Sequence, residues 1–269
     1  MLKQRVLTAL VLAPVVLAAI FYLPTAWLSL LLAGVMVVGV RELALLAGAT
    51  SSSAQAAVMA VTATGITLVA VFPQWQNTAL WIAIVSWLLC FAWLIMPHHG
   101  QALAGRWRVI KVLLAIIMTV PAWVAIQNLH QLHPGWLISL LFLVWAADVG
   151  AYAAGKTLGR HKLAPSVSPG KTWEGLVGGV ITALALMLCA AHWTGFWHQP
   201  LWFLPAAVVL ITLISVVGDL TVSLLKRHAG SKDTGALLPG HGGLMDRIDS
   251  LCAAAPFFFF FLEWWRHYW

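Results

Sequence analysis

Nine apolar runs divide this chain, and each is long enough to form a helix that crosses a lipid bilayer. Such a helix needs roughly 20 mostly apolar residues. Lipid offers no partners for backbone N–H and C=O groups, so a helix is the structure that a single apolar run can adopt there. The predicted spans are residues 6–23, 26–46, 54–72, 78–96, 109–128, 136–155, 174–194, 201–225 and 249–265. The sequence therefore predicts an all-α polytopic integral membrane protein with about nine transmembrane helices.

The composition favours the same fold class. Hydrophobic residues make up 62% of the sequence and charged residues only 9%, whereas about half of a soluble domain is apolar. The first run is longer than the apolar core of a signal peptide, and no clear cleavage site follows it. We therefore interpret residues 6–23 as a retained span.

The positions of Lys and Arg predict which helix ends face the cytoplasm. With a cytoplasmic N-terminus, the even-numbered connections face inward, and only Arg266 of the 15 Lys and Arg residues lies outside. This arrangement follows the tendency of cytoplasmic loops to carry positive charge. It also explains the net charge of +7 without any nucleic-acid binding. Two long polar connections then face the cytoplasm: a first loop (about 156–173) and a second loop (about 226–247).

The acidic residues divide the chain into two predicted regions. Of the eight acidic residues, six lie between residues 148 and 249. These six are Asp148, Glu174, Asp219, Asp233, Asp246 and Asp249. We therefore predict that residues 1–135 form membrane scaffold helices and that residues 136–269 form a catalytic membrane region with the two cytoplasmic loops.

Acidic residues inside the predicted spans indicate a metal site. An acidic side chain at mid-bilayer costs about 2.5–3.5 kcal/mol, so it usually pairs, lines a water-filled cavity or binds an ion. Asp219, Ser223 and Lys226 share one helix face, and Asp246 and Asp249 share another. Carboxylates and hydroxyls without Cys favour Mg²⁺, and the number of carboxylates allows a second cation such as K⁺. The predicted metal ligands are Asp148, Asp219, Asp246 and Asp249. In the alternative interpretation, the acids only form ion pairs with Lys226, Arg227, Lys232 and Arg247.

Both cytoplasmic loops have the residues of a phosphate-binding surface. The second loop contains the stretch LLPGHGGL, in which Gly242 and Gly243 let backbone N–H groups approach a phosphate closely. His241 in the same stretch is a candidate hydrogen-bond donor to a phosphate or a candidate proton carrier. The candidates in the first loop are Lys171, Ser166 and Ser168. Together with the acids, these features predict a metal-assisted phosphoryl-type transfer between a lipid-borne and a water-soluble phosphate partner.

The stretch SLLKRHAGSKDTGALLPGHGGLMDRID, residues 223–249, resembles the signature of the phosphatidate cytidylyltransferases, also called CDP-diacylglycerol synthases. The matching positions are Ser223, Lys226, Arg227, Lys232, Asp233, Gly235, Leu238, Pro239, His241, Gly242, Gly243, Asp246, Arg247 and Asp249. The upstream stretch DVGAYAAGKTLGRHKLAPSVSPGKTWEG is similar to a second block of that family. The resemblance is specific over residues 148–250 and general, in hydropathy and size, over residues 1–140.

The resemblance implies that CTP and phosphatidate react to give CDP-diacylglycerol and pyrophosphate, with Mg²⁺ required. A phosphate oxygen of phosphatidate would attack the α-phosphorus of CTP, so no protein nucleophile is needed. The implied catalytic residues are Asp219, Asp246, Lys226, Arg227, Lys232, His241 and Asp249. The implied substrate-binding residues are Ser223, Arg247, Lys171, Ser166, Ser168, Gly242 and Gly243. The resemblance also implies that the protein lies in a bacterial inner membrane and that its site faces the cytoplasm. It favours a homodimer as well.

Two alternatives stay open at this point. An ion-coupled transporter also carries acids inside the membrane, but it predicts acids spread through the bundle and internal repeats, and here the acids cluster and no convincing repeat is found. Another CTP-dependent lipid-phosphate cytidylyltransferase would have the same site, because residue spacing does not distinguish phosphatidate from other lipid phosphates. A relative that only assists assembly is disfavoured by the intact set of acidic and basic residues.

Overall fold

The described part of the chain contains nine long helices, one short 3₁₀ helix (Pro73–Trp75) and one small β-hairpin. The computed structural model describes residues 2–194, 203–237 and 242–268. The helices are α1 (Leu2–Tyr22), α2 (Thr25–Leu46), α3 (Ser52–Val71), α4 (Gln76–Ile95), α5 (Gly105–Leu132), α6 (Pro134–Thr157), α7 (Trp173–Thr194), α8 (Leu204–His228) and α9 (Met245–Tyr268). Between α6 and α7, β1 (Lys162–Ala164) pairs with β2 (Ser168–Thr172) in antiparallel orientation.

The predicted all-α membrane architecture is confirmed, because each predicted span corresponds to one of these helices. Eight of the described helices are long and apolar enough to cross a membrane, and the apolar part of α1, Val11–Tyr22, is shorter. The β-hairpin was not predicted: it occupies most of the first loop.

Local sequence signals set the boundary between α2 and α3. Ser51 caps the start of α3, because its side-chain oxygen accepts a hydrogen bond from the backbone N–H of Ala54. Gly48 follows the end of α2 with a φ of 92°, a conformation that glycine adopts without steric cost. A Cβ at this position would overlap the carbonyl oxygen of Leu103. The turn after α2 therefore packs closely against the connection between α4 and α5.

The connections after α2, α4, α6 and α8 meet at one end of the bundle. At the end of α8, a ring nitrogen of His228 lies 2.8 Å from the carbonyl oxygen of Pro97, which follows α4. The neighbouring Arg227 donates from Nε to the carbonyl oxygen of Val167 in the hairpin, at 3.1 Å. These are the connections that the charge distribution assigns to the cytoplasm. Both polar loops therefore lie at the same end, while the cytoplasmic orientation itself remains a prediction.

Small residues allow α6 and α7 to pack closely. The ideal Cβ position at Gly178 of α7 would overlap the Cβ of Ala154 on α6 and would lie 3.1 Å from the carbonyl oxygen of Gly150. Small residues at helix interfaces are common in membranes, where close van der Waals packing replaces the hydrophobic effect as the source of association. This contact brings α6 and α7 together beneath the hairpin that joins them.

The close packing of these two helices predicts that Gly178→Ala destabilises the protein by about 1–3 kcal/mol, the usual cost of overpacking. Thermal unfolding in detergent measures the effect. Gly34→Ala in α2 is the matched control, because no atom lies within 4 Å of the added Cβ and alanine favours a helix interior over glycine. Equal unfolding temperatures for the two variants would contradict the packing argument.

Candidate functional site

The acidic residue of α8 lies beside the hairpin. Asp219 accepts a hydrogen bond from the hydroxyl of Ser223 one turn later on α8, at 3.2 Å. It also pairs with Lys171 of β2, with 2.5 Å between Nζ and Oδ2. The polar stripe predicted on α8 therefore meets the first loop through an ion pair between two predicted site residues.

The hairpin is held against α8 by apolar and polar contacts. Val167 in the hairpin turn is 2% exposed and forms a small buried cluster with Leu220 and Leu224. Its carbonyl oxygen accepts the hydrogen bond from Arg227 described above. Arg227 was predicted to neutralise phosphate charge, and the structure gives its Nε a contact that joins the first loop to the end of α8.

A cavity of about 390 Å³ lies between α6, α7, α8 and the hairpin. Asp148 from α6, Asp219 from α8, and Ser168 and Lys171 from β2 contribute polar side chains to its lining. The remaining lining is mainly small or apolar and includes Ala147, Ala151, Leu163, Leu176, Gly179 and Val216. Ser166 is exposed in the hairpin turn and does not line the cavity. The structure thus places two acids and a lysine beside an apolar pocket.

Asp246 in the first turn of α9 orders the second loop. Its Oδ1 pairs with Nζ of Lys226 at 2.7 Å, and the two side chains are 7% and 12% exposed. Its Oδ2 accepts hydrogen bonds from the backbone N–H groups of Thr234 and Gly243, at 2.9 and 3.0 Å. Both oxygens are therefore engaged by protein donors, and Asp246 lies outside the lining of the cavity that contains Asp219.

Asp249 lies almost one turn further into α9 and is 6% exposed. One of its oxygens accepts a hydrogen bond from the N–H of Ser250 at 2.7 Å. Helices α8 and α9 approach closely here, since a Cβ at Gly218 would lie 2.7 Å from the carbonyl oxygen of Asp249. Asp148 and Asp219 line the same cavity. Helix packing therefore places three of the four predicted metal ligands in the same part of the bundle.

The metal-binding role of the four aspartates nevertheless remains a prediction. Within residues 2–194, 203–237 and 242–268, no three His, Cys, Asp or Glu side chains are grouped closely enough to hold a metal ion. In the arrangement described, Asp219 is paired with Lys171, and Asp246 is paired with Lys226. These two lysines occupy the positions next to the carboxylates that a cation would take.

The other predicted site residues lie around the second loop. Lys232 is exposed and lines an open pocket of about 530 Å³ together with Asp233 and Thr234. Arg247 is exposed on the first turn of α9. Gly242 has a φ of 80°, which explains glycine at that position. Gly243 is buried, and His241 lies outside the described residues.

The sequence model of the cytidylyltransferase family matches residues 3–265 of this chain. The chain belongs to the cytidylyltransferase family. It is 40% identical over 261 residues to a phosphatidate cytidylyltransferase of Pseudomonas aeruginosa, and the alignment covers 96% of each protein. It is 36% identical to a phosphatidate cytidylyltransferase of Haemophilus influenzae, with 97% of this chain and 98% of the relative covered. The family resemblance inferred from the signature is confirmed, and the match extends over the first four helices.

Sequence reasoning missed one residue of this cytidylyltransferase that reaches the second loop. Glu42 near the end of α2 is 6% exposed, and it accepts a hydrogen bond from the hydroxyl of Thr234 at 2.8 Å. A signal was present in the sequence, because Glu42 is an acid within a predicted span, like Asp148 and Asp219. The argument that singled out those two aspartates applies equally to Glu42.

The difference in burial between the two ion pairs predicts different costs of breaking them. Lys226→Met is expected to destabilise the protein by about 3 kcal/mol or more, because it leaves the buried Asp246 carboxylate without its counter-ion. Lys171→Met is expected to cost less than about 1 kcal/mol, because the side chains of its pair are 25% and 32% exposed. Unfolding in detergent checks both values.

A second substitution tests the cause of this difference. In the Lys226→Met background, Asp246→Asn removes the unpaired charge and is expected to recover part of the lost stability. Equal destabilisation by Lys171→Met and Lys226→Met would contradict the assignment of one open and one buried pair.

Proposed function

We propose that this cytidylyltransferase transfers the cytidylyl group of CTP to phosphatidate, giving CDP-diacylglycerol and pyrophosphate for phospholipid biosynthesis. The observation that carries this proposal is the cavity in which Asp148, Asp219 and Lys171 stand beside an apolar lining. A substrate with a charged head and apolar chains fits such a lining. The names of the relatives from P. aeruginosa and H. influenzae support the same reaction.

The proposed chemistry needs no nucleophile from the protein. A phosphate oxygen of phosphatidate attacks the α-phosphorus of CTP and forms the new P–O bond. The bond between the α-phosphorus and the oxygen that bridges to the β-phosphorus breaks, and pyrophosphate leaves with the electron pair. The attacking oxygen already carries a negative charge at neutral pH. Catalysis is therefore positioning and charge neutralisation by the protein.

In this proposal phosphatidate binds at the cavity beside the hairpin. Lys171 contacts the head-group phosphate after its partly exposed ion pair with Asp219 opens. Apolar side chains such as Leu163, Leu176 and Val216 contact the first part of the acyl chains. A mainly apolar pocket with a few convergent polar groups is the usual form of a small-molecule site.

The triphosphate of CTP is assigned to the second loop. Lys232 lines an open pocket of about 530 Å³ there, and Lys226 and Arg247 lie at the facing ends of α8 and α9. The start of a helix also favours negative charge, because its N–H groups and its dipole point toward the ligand. The roles of Ser223, Arg227 and His241 in orienting or neutralising phosphates remain predictions.

Mg²⁺ fits the chemistry of these residues, because carboxylate and phosphate oxygens are the ligands that it prefers. Asp219, Asp249 and Asp148 would hold it together with substrate oxygens, and Asp246 would join them only on release from Lys226. When bound, Mg²⁺ would neutralise charge on the phosphates. The second cation, such as K⁺, remains a prediction.

We also place the protein in the inner membrane of a bacterium, with the site facing the cytoplasm. The bacterial source of the relatives and the placement of 14 of the 15 Lys and Arg residues on the predicted cytoplasmic side support this orientation. The homodimer stays a prediction.

The proposed reaction predicts that purified protein supplied with phosphatidate and radiolabelled CTP moves label into the lipid phase, and that chelation of Mg²⁺ stops this transfer. Asp219→Asn is expected to lower kcat/KM by about 100-fold or more, the usual effect of removing a group that stabilises developing charge. Glu263→Gln is the matched control, because this half-exposed acid at the other end of α9 pairs only with Arg266 among the contacts of the described chain.

The outcomes of this assay are distinct. Labelling of lipid by Asp219→Asn at the wild-type rate would refute the site but not the reaction. Labelling of a different lipid phosphate by the wild type, without labelling of phosphatidate, would establish another lipid-phosphate cytidylyltransferase. If the wild type labels no lipid phosphate with any divalent metal, the proposed function is wrong.

The proposed orientation predicts opposite labelling at the two ends of the bundle. In a variant with Cys90, Cys189 and Cys252 replaced by Ser, Ser166→Cys in the hairpin turn is expected to react with a membrane-impermeant maleimide only in inside-out vesicles. Gln74→Cys, between α3 and α4, is expected to react only in right-side-out vesicles, because it lies at the opposite end of the bundle. Both positions are exposed, so a reagent on the correct side can reach them. The reverse pattern would contradict a cytoplasmic site.

A further inference from the structure

The carboxylate of Glu42 is surrounded by hydrogen-bond donors from the second loop and α9. Its Oε1 accepts a hydrogen bond from the N–H of Leu244 at 2.9 Å. Its Oε2 accepts one from the N–H of Met245 at 2.9 Å and one from the hydroxyl of Thr234 at 2.8 Å. A buried acid costs little only when donors satisfy it in this way. The contact joins α2 to a segment about 200 positions later in the chain.

These contacts determine how α9 begins. The first N–H groups of a helix have no partner within the helix, and a nearby side chain usually caps them. Here Glu42 caps the N–H groups of Leu244 and Met245 from another helix, and its charge is favourable next to the positive end of the helix dipole. Asp246 and Asp249 follow in the first two turns, so the position of both carboxylates depends on this start.

Thr234 links Glu42 to the buried ion pair. Its Oγ1 lies 2.8 Å from Oε2 of Glu42 and 3.1 Å from Oδ2 of Asp246. Its backbone N–H donates to the same Asp246 oxygen at 2.9 Å. Since Asp246 in turn pairs with Lys226, a continuous series of hydrogen bonds runs from α2 through the second loop and α9 to α8.

Two glycines of the signature make room for Glu42. A Cβ at Gly235 would lie 2.6 Å from Oε1 of Glu42, and a Cβ at Gly243 would overlap both its Oε2 and Oγ1 of Thr234. Neither glycine has a positive φ. Close approach of a carboxylate, and not backbone conformation, is therefore the structural reason for glycine at these two positions.

We propose that Glu42 is a positioning residue for cytidylyl transfer: it holds the second loop and the start of α9 so that Lys232 and Arg247, both exposed, meet the triphosphate of CTP. The effect of Glu42 on the kinetics of cytidylyl transfer rests on the proposed function. Glu42 does not line the cavity assigned to phosphatidate, which lies between α6, α7, α8 and the hairpin. Loss of its charge should therefore weaken the use of CTP and leave the binding of phosphatidate unchanged.

Glu42→Gln is the main test, because glutamine keeps the size of the side chain but turns one acceptor oxygen into a donor that faces an N–H group. The expected result is a 10- to 100-fold lower kcat/KM for CTP, on the order of the loss caused by small misplacement of reacting groups. The KM for phosphatidate should stay within about 2-fold of the wild type, because its site is held by other residues. Arg41→Gln is the matched control: Arg41 precedes Glu42 on α2, is exposed, and bonds Gln55 instead of the loop.

Amide hydrogen exchange tests the contact without any activity measurement. In Glu42→Gln the amides of Leu244 and Met245 should exchange faster by about 10-fold or more, while the buried amides of α5 keep their wild-type rates, because only the cap is lost. Arg41→Gln should leave all these rates unchanged. If the wild type proves inactive toward phosphatidate, the proposed function fails, and this measurement still decides whether Glu42 orders the loop.

Thr234→Val is a second test of the same contact, and it leaves the buried charge of Glu42 in place. Combined with Glu42→Gln, it should reduce kcat/KM for CTP no further than the more damaging single variant, because both act through one contact. Additive losses, equal changes in the KM values for both substrates, or wild-type kinetics and exchange in Glu42→Gln would each overturn the inference.

Discussion

The bilayer core contains no water, and this constraint determines how the protein carries charge. Each helix satisfies its own backbone, and a charged side chain that enters a span must be paired or must line a cavity. Glu42, Asp246 and Asp219 follow this rule in two ways. Glu42 and Asp246 are saturated by donors within the protein, whereas Asp219 lines a cavity and has one partly exposed partner, Lys171. These three acids therefore lie toward the end of the bundle where the even-numbered connections meet.

Burial separates the two ion pairs into different roles. In the pair of Lys226 and Asp246 both side chains are at most 12% exposed, so opening it would leave a charge in a low-dielectric environment at high cost. The pair of Lys171 and Asp219 is partly exposed, and such pairs contribute little net stability. In the proposed function, a phosphate replaces Asp219 as the partner of Lys171, and a cation replaces Lys171 as the partner of Asp219. The first pair then belongs to the framework of the proposed site, and the second is its exchangeable part.

How much of the fold and of the candidate site could be predicted from sequence depends on how far apart along the chain the interacting residues lie. The helices were predictable because the length needed to cross a bilayer is a local requirement, and Ser223 beside Asp219 follows from helical spacing. The hairpin was not, since its short strands lie in a Ser-, Pro- and Gly-rich loop with no clear alternation. The partners of Glu42 lie about 200 positions away, and one sequence does not say which helices are neighbours. The reaction came from the family resemblance, and the metal ligands stay predictions because depth in the membrane does not reveal which acids are paired with lysines.

The hydrogen bonds between Glu42 and the start of α9 connect the first helices to the proposed catalytic region. The predicted boundary near residue 135 separates scaffold from catalytic region by the distribution of acids along the chain, yet α2 supplies the carboxylate that caps α9. In the described part of the second loop, Thr234 is 4% exposed, and its hydroxyl contacts carboxylates of α2 and α9. A carboxylate held on a packed helix therefore fixes this part of the loop from outside. The start of α9 and the described part of the second loop are therefore held by contacts with α2 as well as with α8, so the proposed site draws on helices from both halves of the chain.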